Sequence, residues 1–274
     1  MKNKYAIFFI GPTGVGKTAL AVRVAEALGT QIISADSRQV YKELSIGTAV
    51  PDKEQLGRVR HHLIQHRSVQ DGYNASIFEM EALQVLDSIF REEDRVVIAG
   101  GSGLYIQALI SGIDDVPRVD PEIRRRLLER LYEEGLESLR FELKKLDPDS
   151  WANIDLKNPA RILKALEISL TTGKPYSSFL TRKSKQRDFS PLKIGLILDR
   201  DLLYARIERR VEEMMENGLL KEVQSCLDYR DMNALKTVGY KELFDYLDGQ
   251  TSLDRAIQLI KRNSRRYARR QLTW

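Results

Sequence analysis

Gly11-Pro12-Thr13-Gly14-Val15-Gly16-Lys17-Thr18 follows directly on the apolar run Tyr5 to Ile10, and this junction constrains the fold more than any other stretch of the chain. It fits G-x-x-x-x-G-K-[ST], the phosphate-binding loop, in the setting such a loop requires: a buried strand before it and an amphipathic helix from Lys17 to about Leu28 after it. Glycines let the loop curl until successive backbone N–H groups face one anion, and the positive end of the following helix adds to the site. Lys17 is then placed to reach a terminal phosphate, and the Thr18 hydroxyl to ligate a Mg²⁺ held mainly by water and phosphate oxygens. The expected class is α/β: a P-loop NTPase-like core with a parallel sheet flanked by helices, interrupted by an all-helical insertion.

Later segments add to the same rim. The β-branched run Thr30 to Ala35 ends in Asp36-Ser37-Arg38-Gln39, and polar residues just past a strand's carboxyl end fall in the ligand crevice of an open α/β sheet. Asp36 is therefore placed either for chemistry or as the cap of the next turn. A helix is expected from Asn74 to about Arg91, with Ile77, Met80, Leu83, Val85, Leu86 and Ile89 near helical period. A second buried strand, Arg95 to Ala99, runs into Gly100-Gly101-Ser102-Gly103, where Ser102 either meets a substrate or belongs to a tight turn. His61, His62 and His66 lack a carboxylate or cysteine at ligand spacing, so a structural role is expected for them.

From Pro117 the pattern becomes helical: Asp120-Pro121-Glu122 opens one helix, another spans about Pro159 to Thr171, Trp151 and Ile154 look like core, and Ser177 to Arg187 reads as a mobile basic loop. The sheet resumes at Lys193 to Leu198, followed by a long helix on which Arg206 and Arg210, one turn apart, are candidates to clamp a phosphate or are solvated. The last helix, about Ser252 to Arg270, carries Lys261, Arg262, Arg265, Arg266, Arg269 and Arg270 around Tyr267, with no acid after Asp254. Such a face suits a polyphosphate backbone. The expected segments are 1–116 for the first part of the core, 117–188 for the helical insertion and 189–274 for core completion and basic helices.

Charge and composition exclude several classes. With 42% hydrophobic and 30% charged residues and a net charge of +5, the chain has no run of about eighteen apolar residues that would span a membrane. Met1 to Lys4 lead into a strand-like segment, not a signal peptide, and the single Cys226 excludes an internal disulfide or a cysteine-rich zinc site. A cytoplasmic monomer is expected. One part of a phosphotransferase is missing, since the strand Val96 to Ala99 ends in Gly100-Gly101 and not in a magnesium-binding aspartate.

Taken in order, the phosphate loop, Ser34-Ala35-Asp36-Ser37-Arg38-Gln39-Val40-Tyr41, Ile46-Gly47-Thr48-Ala49, His61-His62-Leu63-Ile64 and Gly100 to Tyr105 resemble the tRNA dimethylallyltransferases, or tRNA isopentenyltransferases, of bacterial type. So do Asp120 to Arg124, Asn158 to Glu167, Thr172 to Pro175, Val238 to Glu242 and Arg266 to Trp274, although that family usually runs somewhat further. The resemblance implies transfer of a dimethylallyl group from dimethylallyl diphosphate to the exocyclic amine of the adenosine 3′-adjacent to the anticodon. It implies Asp36 as general base, Lys17 and Thr13 at the diphosphate, and a leaving group held by Gly11, Pro12, Gly14, Val15, Gly16, Thr18 with Mg²⁺, and Arg206 or Arg210. By matching positions, tRNA would meet Asp36, Ser37, Arg38, Gln39, Ser102, Arg124, Ala160, Arg161, Ile162, Leu163, Lys164, Gly239, Tyr240 and Lys241. Rival functions are an isopentenyltransferase of free adenine nucleotides, a small-molecule P-loop kinase and a non-catalytic tRNA-binding protein.

Overall fold

The computed structural model describes residues 3–117, 119–181 and 183–273; Met1, Lys2, Arg118, Arg182 and Trp274 lie outside the description, and with them part of the expected basic loop and the last residue of the Arg266 to Trp274 motif. The described chain forms two compact units, one of residues 1–112 and 186–274, the other of residues 113–185.

In the first unit, β1 (Tyr5–Ile10) leads through the phosphate loop into α1 (Lys17–Leu28), then β2 (Ile32–Ser34), α2 (Lys53–Arg58), β3 (His61–His62), α3 (Ala75–Ile89), β4 (Arg95–Ala99) and α4 (Gly103–Ser111). After the second unit come β5 (Ser190–Gly195), α9 (Arg200–Glu216), α10 (Leu219–Ser225), α11 (Tyr240–Leu247) and α12 (Leu253–Leu272), the numbers α5 to α8 falling to the second unit. The sheet is parallel, in the order β3-β2-β4-β1-β5. Strand alternation sends Ile7, Phe9, Ile32 and Val97 toward Ala21, Val22 and Ala25 of α1, while Ala6, Phe8, Val96 and Ile98 are buried on the other face. With β1 between β4 and β5, the phosphate loop opens beside the carboxyl ends of both neighbours, where open α/β sheets bind ligands.

Two expectations are corrected here. β5 is Ser190–Gly195 instead of Lys193 to Leu198. It is an exposed edge strand that tolerates Pro191, so its register follows from pairing with Tyr5–Ile10 and not from hydrophobicity. The apolar residues beyond it, Leu196 and Leu198, pack instead against Val15, Leu203 and Ile207. In α3 the buried face runs through Phe78, Ala82, Leu86 and Ile89, and Met80 is exposed. The expected basic loop is held at both ends: Tyr176–Phe179 is a 3₁₀ turn, Thr181 donates to Asp114, and largely buried Arg187 donates to the carbonyls of Ala108 and Leu109 and to Glu79.

The second unit consists of α5 (Pro121–Glu133), α6 (Gly135–Leu146), α7 (Pro148–Asn153) and α8 (Pro159–Thr172). Asp120, Asp147 and Asn158 cap three of them, each followed by proline in the first turn, and Gly173 ends the last in the left-handed conformation. Leu127, Leu139, Leu143, Ile162, Leu163, Ala165 and Leu166 form its own core, with Trp151 and Ile154 packed against it.

Candidate active site at the phosphate loop

Gly14 and Gly16 have φ of 83° and 102°, and Gly16 caps α1, so the loop takes the backbone shape that its glycines permit. A Cβ on Gly11 would stand 2.5 Å from the Leu196 carbonyl oxygen. Lys17 Nζ donates to the carbonyls of Gly11 (2.8 Å) and Pro12 (2.9 Å). Burial draws its pKa down to about 8, with Asp36 opposing the shift and Arg210 adding to it.

Asp36 caps the next turn and also faces the phosphate-loop cavity. Its Oδ1 accepts from the backbone N–H of Arg38 (2.9 Å) and Gln39 (3.3 Å), which makes it a cap, yet the same carboxylate lines a cavity with Lys17, Thr18, Arg206 and Arg210. Oδ2 is turned toward Gly101, 3.9 Å from where a Cβ on that glycine would lie. Ser102 Oγ accepts from the Ser37 N–H at 2.8 Å and so ties the two strand-end loops together. The loops approach closely enough that a Cβ on Gly100 would fall 2.1 Å from the Ala35 carbonyl oxygen.

The two candidate arginines separate. Arg210 is half-buried and donates from Nη1 to Thr13 Oγ1 at 3.1 Å, and loss of solvent around its guanidinium lowers its pKa. Arg206 is exposed, with Nη1 4.0 Å from the position of a Cβ on Gly16. One residue given no role from sequence joins them: Gln271 accepts the Thr13 N–H on Oε1 (2.7 Å) and donates from Nε2 to the Gly101 carbonyl (2.8 Å). It stands in the last turn of α12, where only the tertiary fold brings it to the loop.

Around this bridge lie a cavity of about 870 Å³ on the phosphate-loop side and one of about 490 Å³ lined by Ser37, Arg38, Tyr73, Ser102 and Tyr105; Gly100, Gly101, Tyr267 and Gln271 belong to both. Burial raises the Tyr267 hydroxyl to about 12, keeping it neutral. A smaller pocket of about 120 Å³ joins Thr13 and Asp36 to the apolar side chains of Ile207, Val211, Met214 and Ile260.

Several matched positions do not present themselves to a ligand. Tyr240 is fully buried with its hydroxyl on Glu222 (2.6 Å), and Gly239 is buried, while Lys241 is exposed. Ile162 and Leu163 belong to the core of the helical unit; Ala160 and Arg161 are exposed and Lys164 partly so. Arg124 is half exposed and donates to buried Glu167 Oε1 at 2.6 Å. Gln39 spends its side chain on the fold, accepting from Ser34 Oγ and donating to the carbonyls of Thr48 and Ala49. The histidines bond within the fold, His61 to the Val59 carbonyl, His62 to Gln31 and His66 to Glu81.

The basic face of α12 is divided. Lys261 and Arg265 point to α9 and pair with Glu212 and Glu208, so balancing acids exist on another helix. Arg262, Arg266, Arg269 and Arg270 remain exposed beside Tyr267.

The family model described as IPP transferase matches residues 39–274. The chain is 55% identical over 268 residues to tRNA dimethylallyltransferase 1 of Bacteroides thetaiotaomicron, covering 98% of this chain and 87% of that one. It is 50% identical to the tRNA dimethylallyltransferase of Christiangramia forsetii, covering 99% and 90%. Among solved structures, the full-length tRNA isopentenylpyrophosphate transferase of Bacillus halodurans superposes with a TM-score of 0.70 at 38% identity, covering 100% of this chain and 86% of that one. A eukaryotic dimethylallyltransferase acting on tRNA superposes at 0.81 with 28% identity, covering 99% and 70%. Matched along nearly its whole length in sequence and in fold, the chain belongs to the IPP transferase family.

Proposed function

We propose that the protein transfers the dimethylallyl group of dimethylallyl diphosphate to the exocyclic amine of the adenosine 3′-adjacent to the anticodon in tRNA, releasing diphosphate. The observation that carries this is Asp36, a carboxylate on the wall of the phosphate-loop cavity, beside the glycines that the second, aromatic-lined cavity shares. The names of the relatives support it. A kinase is disfavoured because β4 ends in Gly100-Gly101 without an acid.

The adenine amine is a weak nucleophile, its lone pair delocalised into the ring, so a base must take its proton as nitrogen bonds to the allylic carbon and the carbon–oxygen bond to diphosphate breaks. Asp36 is that base: Oδ1 is fixed by the Arg38 and Gln39 N–H groups, leaving Oδ2 to receive the proton. Charge building on the diphosphate is met by the loop N–H groups, Lys17 and Arg210, with Arg206 at the rim and Thr13 held by Arg210 beside the reacting group. Thr18 places a hydroxyl on the same cavity, which fits a magnesium ion held chiefly by diphosphate oxygens and water. When bound, that ion would neutralise leaving-group charge.

The tRNA must extrude its base, at a cost of a few kcal/mol that backbone contacts offset. We assign those contacts to Arg262, Arg266, Arg269 and Arg270 of α12, and assign the helical unit, with Arg124, Arg161 and Lys164, to the anticodon stem-loop. Ser37, Arg38 and Ser102 line the cavity proposed for the flipped adenosine. Location in the cytoplasm and action as a monomer complete the proposal.

The test is incubation with Mg²⁺, labelled dimethylallyl diphosphate and unmodified tRNA, with AMP as a parallel acceptor and Asp36→Asn as control. Label on tRNA that falls by about two to four orders of magnitude in the variant is the expected result. Label on AMP alone, or phosphoryl transfer from ATP, would refute it.

A further inference from the structure

We infer that Glu222, which lines none of the three cavities, is a positioning residue that holds the donor-side wall of the active site. Its carboxylate accepts the backbone N–H of Ser45 (2.9 Å) and Ile46 (2.8 Å) on Oε2, and that of Gly47 (2.9 Å) on Oε1, where the Tyr240 hydroxyl also donates at 2.6 Å. Three consecutive amides of one loop thus converge on one side chain of α10. Tyr240 completes the clamp as a fully buried ring, and a Cβ on Gly47 would stand 2.6 Å from it.

The clamped loop has a defined place. Ser45, Ile46, Thr48 and Ala49 line the phosphate-loop cavity and none of them lines the second cavity, while Gly47 and Thr48 also border the small apolar pocket beside Thr13 and Asp36. The loop does not keep this shape by local preference, since Ala49 sits at φ 48°, a left-handed conformation unfavourable for a residue with a Cβ. From there the order passes inward. The Thr48 and Ala49 carbonyls fix the Gln39 amide, and the Gln39 N–H fixes Asp36 Oδ1.

Replacing Glu222 by glutamine keeps size and shape but turns an NH₂ toward N–H or O–H donors, so at least one backbone amide loses its acceptor. The inference rests on the phosphate-loop cavity being the site of dimethylallyl diphosphate. It predicts a split between substrates: the wall that moves lines the phosphate-loop cavity and not the cavity proposed for the adenosine, so donor binding should change and tRNA binding should not.

The experiment compares the wild type with Glu222→Gln, Tyr240→Phe and Gly47→Ala, varying dimethylallyl diphosphate at saturating tRNA and tRNA at saturating donor, with melting curves for each. Glu222→Gln should raise the donor KM about tenfold and leave the tRNA KM within about twofold. Tyr240→Phe, which spares the three amide bonds, should shift the donor KM in the same direction by less, so a Glu222 variant that fails to fold does not remove the test. An unchanged donor KM in folded variants that merely melt earlier would make the clamp a contact of the fold alone and overturn the inference. Equal increases in both KM values would also overturn it. A wild type that transfers nothing would instead remove the donor-site reading underneath, a result visible before any variant is compared.

Discussion

Lys17 must carry a proton to hold a diphosphate, and burial brings its pKa down to about 8 from the ordinary 10.5. The KM for dimethylallyl diphosphate should therefore rise as pH climbs through about 8, measurable in initial-rate assays on either side of that value. The stability effect has the opposite sign. Between about 8 and 10.5 the unfolded chain keeps a proton that the folded lysine has lost, so this residue's contribution to folding improves with pH across that window. Arg210, half-buried and bonded to Thr13, should matter more than exposed Arg206. Alanine at 210 is expected to lower kcat/KM by about two orders of magnitude and alanine at 206 by about one, as steady-state kinetics would register. Lys17, Thr18 and Asp36 were legible in the sequence because a local spacing, strand then loop then helix, delivers them to one rim. Gln271 was not, since nothing near it in the chain points to Thr13. Tyr240 and Ile162 sit inside matched motifs yet serve packing, and side-chain direction is a property of the folded neighbourhood.

At the scale of elements, α12 presents two different basic faces. Its Lys261 and Arg265 are neutralised by Glu212 and Glu208 of α9, whereas Arg262, Arg266, Arg269 and Arg270 face solvent. Changing Arg266 and Arg270 together to alanine should weaken tRNA binding and reduce the slope of log affinity against log salt by about two, read from filter binding over a salt series. Alanine at Lys261 should leave that slope alone and cost about 0.5 to 1 kcal/mol of stability in chemical denaturation. From sequence the six cations formed one unbalanced face, because the acids that answer two of them lie some fifty residues earlier, on another helix. β5 was misplaced for a related reason: an edge strand is assigned by its partner, and Ser190-Pro191-Leu192-Lys193 has little pattern of its own.

At the scale of the molecule, the helical unit of residues 113–185 carries a separate core, capped and closed by its own residues. Ile162→Ala should cost about 2–5 kcal/mol of that unit's stability and appear as an earlier transition in calorimetry. The pattern after Pro117 reads as helical, but it does not single out α6, whose exposed charges outnumber its buried leucines, or α7, six residues long with only Ser150 buried. The Thr13–Gln271 bond has a consequence for the order of events in the cell. Its two residues are 258 positions apart, and a chain leaves the ribosome amino end first. The phosphate loop therefore emerges well before its brace. A growing chain holds the loop unbraced until α12 has also been made, so the length of chain between the two residues sets a delay between the loop and its brace.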